Sequence, residues 1–417
     1  MRITYLHYLV DGDTALHHVE QFTGAARRLG HNVDVCPMNF HRAEPGVKEG
    51  TGLSQRVGSL LKRRLSRYLH EPKELLWNLP YTWAEMRLLR RLRPDVLLVR
   101  HHTLTASCVP VARVLGLPLV LELNAPAAES REYFSQYAHL PWVADWLEGY
   151  KVRAVDGVTV VSSSLADYIV ARHAVARDRI LVNPNGADPE KFHSDTPADP
   201  QVALLSRGGP VVGFVGSFHP WHGAPLLCKV VRLVAALRPR VAFVLAGDGL
   251  EAEEARRLAS ELPHQVLWLG RVPYERIPSL VAAFDVGLMP ESNVYGSPLK
   301  VLEWMCAGRA VVAPRYRPLE DVIESGVHGL LFPPGDERAL IQALLQVIDN
   351  GDLRARLGSA AAARVRLSFT WLENAHRVLD LCAKVLNRQR SEKGVERACG
   401  ERGEKELAGQ EPGSLAP

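Results

Sequence analysis

The chain has 417 residues, 47% apolar and 23% charged, with a formal net charge of +4 at pH 7. That length exceeds one ordinary core and calls for two domains, while so small a net charge argues against a nucleic-acid binder. The six cysteines lack CxxC or other metal-type spacing, no apolar run approaches the roughly eighteen residues of a membrane span, and "MRITYLHYLV" is too short and broken for a signal peptide, so a cytoplasmic protein with free thiols is expected.

In chain order, "RITYLHYLV" reads as a strand, followed by a helix through Leu16, Val19, Phe22, Ala26 and Leu29 that Gly30 closes, and by the strand "NVDVCPM". An insertion occupies 42–83. Its stretch "LSQRVGSLLKRRLSRYL" (53–69) carries Arg56, Lys62, Arg63, Arg64 and Arg67 and no acid. A basic amphipathic helix there has two readings. It docks on an anionic membrane surface, placing the protein at the inner face of the plasma membrane, or it packs on the domain through its leucines. "DVLLVR" (95–100), "PLVLELN" (118–124) and "GVTVVS" (157–162) follow, and "NPNGADPEKFHSDTPADP" (183–200) has the composition of a linker. The second half restarts with "PVVGFVGS" (210–217) and adds "VAFVLAGDG", "QVLWLGRV", "VGLMP", "AVVAP" and "GLLFPPG", each separated by helical pattern. This alternation predicts an α/β chain of two parallel-sheet domains, 1–187 and 188–370. A last helix spans 371–386, and the polar segment 387–417 reads as a disordered tail.

Open parallel sheets bind ligands at the carboxyl ends of their strands. In the second half those loops are "GSFHPWHG", "GDG", "GRV", "PESNVYGSP" and "APRYRP". The segment Gly296-Ser297-Pro298-Leu299 opens a helix whose first amides lack intrahelical partners, so they and the helix dipole favour a phosphate, with Lys300 adding a full charge. Glu303, one turn on, suits a ribose diol. Both could equally be ordinary surface residues of a first helical turn. No GxSxG, P-loop, HExxH or GxGxxG occurs, which removes the markers of hydrolase, NTPase, zincin and simple dehydrogenase. "SSSLAD" (162–167) reads as helix capping, Ser164 with Asp167 approximating a capping box.

The ordered series "VVGFVGS", "AGDG", "LGRVP", "FDVGLMPES", "YGSPLKVLEWMCAGRAVVAP" and "LEDVIESGVHGLLFPPGD" resembles the C-terminal domain of family 4 glycosyltransferases of the GT-B fold. "RLGHNVDV", "DVLLVRHHTL", "GLPLVLELNAP" and "VDGVTVVSSSLADYIV" resemble the matching N-terminal domain, so the resemblance covers roughly residues 1–386. It implies two Rossmann-like domains facing a cleft and retaining, metal-independent transfer of a sugar from a nucleotide-sugar donor (UDP- or GDP-sugar). No cofactor is implied beyond that co-substrate. The acceptor is a sugar, a lipid-linked or another small molecule, in cell-envelope polysaccharide, glycolipid or exopolysaccharide synthesis, and the last helix returns to the N-terminal domain.

The resemblance also assigns residues. Donor contacts fall on Gly216, Ser217, His222, Val272, Tyr295, Gly296, Ser297, Leu299, Lys300 and Glu303. Of the family's two carboxylates eight residues apart, the second is Glu303 and the first position holds Tyr295. The family's diphosphate-clamping Arg and Lys fall on Ser217 and His222, which leaves Lys300 as the cation. On the acceptor side the glycine-rich loop falls at Gly12 and Asp13, with His17 following. Candidate catalytic groups are His18, His102 and Asn124, each of which also reads as a packing, capping or turn residue. A nucleotide-sugar epimerase and a nucleotide-sugar-binding protein without turnover remain as alternatives, the latter because of the departures at Ser217, His222, Tyr295 and Asn124.

Overall fold

β1 (Arg2–His7), β2 (Asn32–Pro37), β3 (Val96–Arg100), β4 (Leu119–Leu123), β5 (Gly157–Val160) and β6 (Ile180–Val182) pair in parallel in the order β2-β1-β3-β4-β5-β6. The strands are near-continuous apolar runs because helices cover both faces of such a sheet. The helices are α1 (Ala15–Arg28), α2 (Asn78–Leu92), α3 (Cys108–Leu115), α4 (Pro141–Ala154) and α5 (Ser163–His173). The computed structural model describes residues 1–9, 15–38, 70–127, 140–206 and 208–408. Gly12, Asp13 and the basic stretch 53–69 lie outside these residues.

After α6 (Pro200–Ser206) a second parallel sheet forms from β7 (Val211–Val215), β8 (Ala242–Ala246), β9 (Val266–Gly270), β10 (Val286–Leu288), β11 (Ala310–Pro314) and β12 (Leu330–Phe332), in the order β12-β11-β10-β7-β8-β9. Its helices are α7 (Ala224–Leu237), α8 (Ala252–Glu261), α9 (Ile277–Ala282), α10 (Leu299–Cys306), α11 (Arg317–Glu320), α12 (Glu337–Asp349) and α13 (Gly351–Ser368). In each sheet the strand order reverses beside the first strand, at β1/β3 and at β7/β10. Such a reversal leaves a crevice above the strand ends.

The chain crosses between the domains twice, after β6 and again near Phe369. The crossings touch. The Ala187 amide donates to Phe369 O at 2.9 Å, the Trp371 amide to Ala187 O at 3.3 Å, and Ala187 pairs with Thr370 as a parallel bridge. A side chain at Gly186 would meet the Trp371 nitrogen at 2.6 Å, so the approach needs glycine.

The last helix, α14 (Trp371–Ala408), lays Trp371, Ala375, Val378, Leu379, Cys382 and Val385 against Ile3, Val19 and Phe22 of the N-terminal domain. The 3–4 spacing of those residues is that of one helical stripe. It does not end near Leu386. The segment expected to be a disordered tail continues as helix to Ala408, because a sequence poor in bulky residues still favours helix when it is rich in Glu, Arg, Lys and Ala. Arg388 and Glu392 pair one turn apart at 3.2 Å.

The capping expectation for α5 also shifts. Ser162, in extended conformation, is the N-cap and accepts from the Leu165 amide. Ser164 Oγ instead donates to Val294 O at 2.6 Å, Ser163 binds Asp321, and Asp167 pairs with Arg177 and Arg317. The serine run thus joins the two domains.

Candidate functional site

The carboxyl ends of β7, β9 and β10 and the start of α10 surround a cleft of about 680 Å³. α10 begins after Pro298 with no side chain capping its first turn, so its leading amides stay open to a ligand. Lys300 stands in that first turn. Its Nζ lies 3.2 Å from His222 Nε2 and 4.7 Å over the Phe214 ring. Room for it exists because β7 runs into Gly216, where a Cβ would sit 2.2 Å from that Nζ.

His222 Nδ1 lies 2.5 Å from the Ser217 carbonyl, which only accepts, so this nitrogen carries the proton. Nε2 then offers a lone pair to the Lys300 ammonium. Burial first, and Lys300 second, push His222 down to about 3. It is therefore neutral at pH 7, an acceptor that orients Lys300 rather than the partly charged clamp its position in the family's motif implied. Burial pulls Lys300 itself down to about 7, with Glu303 opposing.

Glu303 is buried one turn further on, and its Oε1 accepts from Tyr274 OH at 2.9 Å. Burial pushes it up to about 7, against the Tyr274 hydrogen bond and the charges of Lys300 and Lys191. The Tyr274 ring meets His17 of α1 at 4.2 Å between centroids. His17 therefore lines the cleft from the N-terminal domain, facing its C-terminal half. Asn185, just after β6, donates through its amide to Ser297 Oγ at 3.1 Å and through Nδ2 to Ser297 O at 2.7 Å. His17 Nε2 and Asn185 Oδ1 are buried without partners, on residues that line the cleft. Unpaired groups of that kind are costly unless a ligand meets them.

Gly216, Ser217, His222, Val272, Gly296, Ser297, Leu299, Lys300 and Glu303 all line this cleft, with His17 opposite. Tyr295 does not. Its ring packs at 5.6 Å against Tyr168 and its carbonyl accepts from Ser162 Oγ at 2.6 Å, because the loop turns that side chain toward the N-terminal core. The three catalytic candidates also lie off the cleft lining. His18 is buried between Arg100 at 3.1 Å and Glu122 at 3.5 Å, and burial lowers it to about 4. Asn124 donates to Glu122 Oε1 at 2.7 Å, and His102 Nδ1 pairs with Thr105 Oγ1 at 2.9 Å. Burial would raise Glu122, but His18, Arg100, Asn124 and Tyr5 together hold it below the usual carboxylate range. His18 and Asn124 thus belong to an ion network inside the N-terminal domain. Reading the sequence missed Tyr274, Asn185, Arg271 and Trp221 on the cleft. "GRVPYE", directly after β9, was the available signal for two of them.

Two parallel six-stranded sheets opening on a shared cleft define the GT-B architecture. Anabaena HepE has the same fold in its complex with UDP, with a TM-score of 0.67 at 19% identity over 92% of this chain and 100% of that one; another structure of it holds UDP-glucose. A model of Glycosyltransferase Family 4 matches residues 16–191 and one of Glycosyl transferases group 1 matches residues 209–350. The chain belongs to these family 4, group 1 glycosyltransferases. It is 30% identical over 253 residues to the D-inositol 3-phosphate glycosyltransferase of Stackebrandtia nassauensis, 56% of this chain and 55% of that protein. To an uncharacterised glycosyltransferase of Methanocaldococcus jannaschii it is 23% identical over 237 residues, 56% of this chain and 60% of that one. The chain thus spans between half and two thirds of the length of these curated relatives.

Proposed function

We propose that the protein transfers a sugar, with retention, from a UDP- or GDP-sugar to a sugar, lipid-linked or other small acceptor in cell-envelope polysaccharide, glycolipid or exopolysaccharide synthesis. The observation that carries this reading is that Lys300 and Glu303 both line the cleft from an uncapped helix start. The donor diphosphate lies on the α10 amides beside Lys300, and the ribose hydroxyls bind Glu303. As the anomeric bond breaks, charge grows on the diphosphate. Lys300, fixed by His222, and the helix dipole stabilise it without calling on a metal ion. The UDP and UDP-glucose bound by Anabaena HepE favour a uridine nucleotide.

A thermal-shift screen with UDP, GDP, ADP, TDP and their sugars tests the reading. Ligand at a hundred times its Kd stabilises by about 2.7 kcal/mol, so one nucleotide series should raise the melting temperature while the others leave it unchanged. If no nucleotide moves it, the donor site is wrong. Glu303→Ala should weaken the bound nucleotide about tenfold or more by calorimetry, the loss of a charged hydrogen bond costing roughly 1.5–3 kcal/mol.

One observation favours binding without turnover: His18, His102 and Asn124 do not line the cleft. Sugar-nucleotide binding with no product across a broad acceptor panel would establish that second reading.

A further inference from the structure

The cleft lining continues to either side of the α10 start. On the Glu303 side stand Val272 and Tyr274; on the other, before the helix, stand Ser292, Asn293 and Gly296, with Ser217, Trp221 and His222 of the loop after β7. Those two loops meet, since a Cβ at Gly223 would lie 2.7 Å from that of Glu291. With the ribose on Glu303 and the diphosphate at Lys300, the transferred sugar falls to this second end.

Among the described residues that line the cleft, Glu303 is the only carboxylate, so the sugar end holds none. Tyr295 turns into the N-terminal core, and Glu291 lies off the lining with one oxygen bound to the Ser292 amide at 2.9 Å. Asn293 does face the cleft, and its orientation is fixed. One atom of its side-chain amide accepts from the Tyr295 amide, at 3.2 Å, and from the Gly296 amide. Two N–H groups donating to one atom identify it as the carbonyl oxygen. Glycine at 296 lets the group sit this close, because a Cβ there would stand 2.7 Å from that oxygen. Nδ2 then carries two N–H bonds that no described residue accepts, on a side chain lining the cleft.

This end offers hydrogens and lacks a charged acceptor. A sugar hydroxyl meeting Nδ2 accepts one hydrogen bond but finds no charged acceptor for its own hydrogen, and bonds to charged groups are the stronger ones. A carboxylate or an acetamido carbonyl has no hydrogen to place and accepts well. The missing acid also removes the repulsion that a carboxylate-bearing sugar would otherwise meet. We propose that the transferred sugar carries such a hydrogen-free acceptor oxygen, a carboxylate or an acetamido carbonyl, and that Asn293 Nδ2 donates to it. The assignment rests on the donor placement proposed above and names the class of sugar it takes.

Calorimetry on the full chain tests it. UDP and GDP first fix the base. Donors sharing that base are then compared: UDP-glucose, UDP-N-acetylglucosamine and UDP-glucuronate, or GDP-mannose and GDP-mannuronate. A donor with an acetamido or carboxylate group should bind about tenfold tighter than the plain hexose donor, the gain of one good hydrogen bond. Asn293→Asp keeps an oxygen for the two backbone amides and puts a second oxygen in place of Nδ2. Each donor's affinity is read relative to the bare nucleotide, so that the effect of the added charge on the diphosphate cancels. On that scale Asn293→Asp should lose the tenfold preference, and the carboxylate-bearing donor should fall furthest. A plain hexose donor that binds as tightly as the others overturns the proposal, as does Asn293→Asp with the preference intact. In both of those cases the bare nucleotide still binds and the donor site stands. If neither UDP nor GDP binds, the donor site is wrong and the sugar assignment falls with it.

Discussion

Lys300 is costly where it stands and is useful for the same reason. Burial holds its pKa at about 7, far below the 10.5 of an exposed lysine. A group depressed in this way binds fewer protons folded than unfolded between those values, so its cost to the fold is full below about pH 7 and falls away as pH rises toward 10.5. A diphosphate reverses the balance by favouring the ammonium. Donor binding at pH 8 should therefore take up protons, seen as a dependence of the calorimetric heat on buffer ionisation, and affinity should fall as pH rises above about 7. Buffer-independent heats would remove Lys300 from the diphosphate. Gly216→Ala tests the geometry from the other side. Its new methyl meets the Lys300 ammonium and strains a backbone at φ +157° that side chains rarely adopt, so stability should fall by about 1–3 kcal/mol and nucleotide affinity about tenfold. Gly216, Lys300 and Glu303 were legible in the sequence because each belongs to a short local pattern. The contact of His17 with Tyr274 was not legible, since the two lie on different domains.

Among the elements, α10 shows how much of a site is support. Its eight residues are aimed by Asn185, which grips Ser297 through two hydrogen bonds from 112 positions away. Asn185→Ala removes both the Nδ2 donor and the unpaired Oδ1. The expected result is a weaker nucleotide complex, by roughly 1 kcal/mol, with unfolding by urea little changed; a large stability loss with intact affinity would make Asn185 merely structural. No pattern within "NPNGADPEKF" announces this contact, since a linker composition says where the chain turns and nothing about what it touches. The strands were easier to read. Buried parallel strands such as β4 and β11 are continuous apolar runs, and a short polar break between them fixes their number. Tyr295 failed for the opposite reason, because loop conformation, here set by the Asn293 side chain accepting from the amides of Tyr295 and Gly296, decides which way a side chain turns.

Across the whole molecule, α14 makes the two domains one folding problem. Trp371 is 3% exposed and its ring meets His18 edge-on at 5.2 Å, so the N-terminal core is completed by residues almost 370 positions after it begins. Trp371→Ala should cost about 3–5 kcal/mol by denaturant unfolding. Truncation after Phe369 should leave the N-terminal domain aggregating, whereas truncation after Glu392 should leave the melting temperature within about 2 °C, since Asn387, Arg388 and the last residues before the cut are exposed. That return was legible as a resemblance. The length of the helix was not, because polar helix and polar coil differ in propensity by only a few tenths of a kcal/mol per residue.

The paired crossings at Ala187 and Thr370 have a mechanical consequence. Two chain segments hydrogen-bonded to each other cannot slide apart or turn independently, so a relative motion of the domains that also released the serine run would pivot about the line those segments define. Asn185 lies two residues from that axis and holds the mouth of α10. His17 and Tyr274 stand beside it as well, since His18 meets Trp371 at 5.2 Å and the Tyr274 ring meets Phe192 at 6.4 Å. Contacts this close to a pivot move little when it turns, so the nucleotide seat keeps its shape.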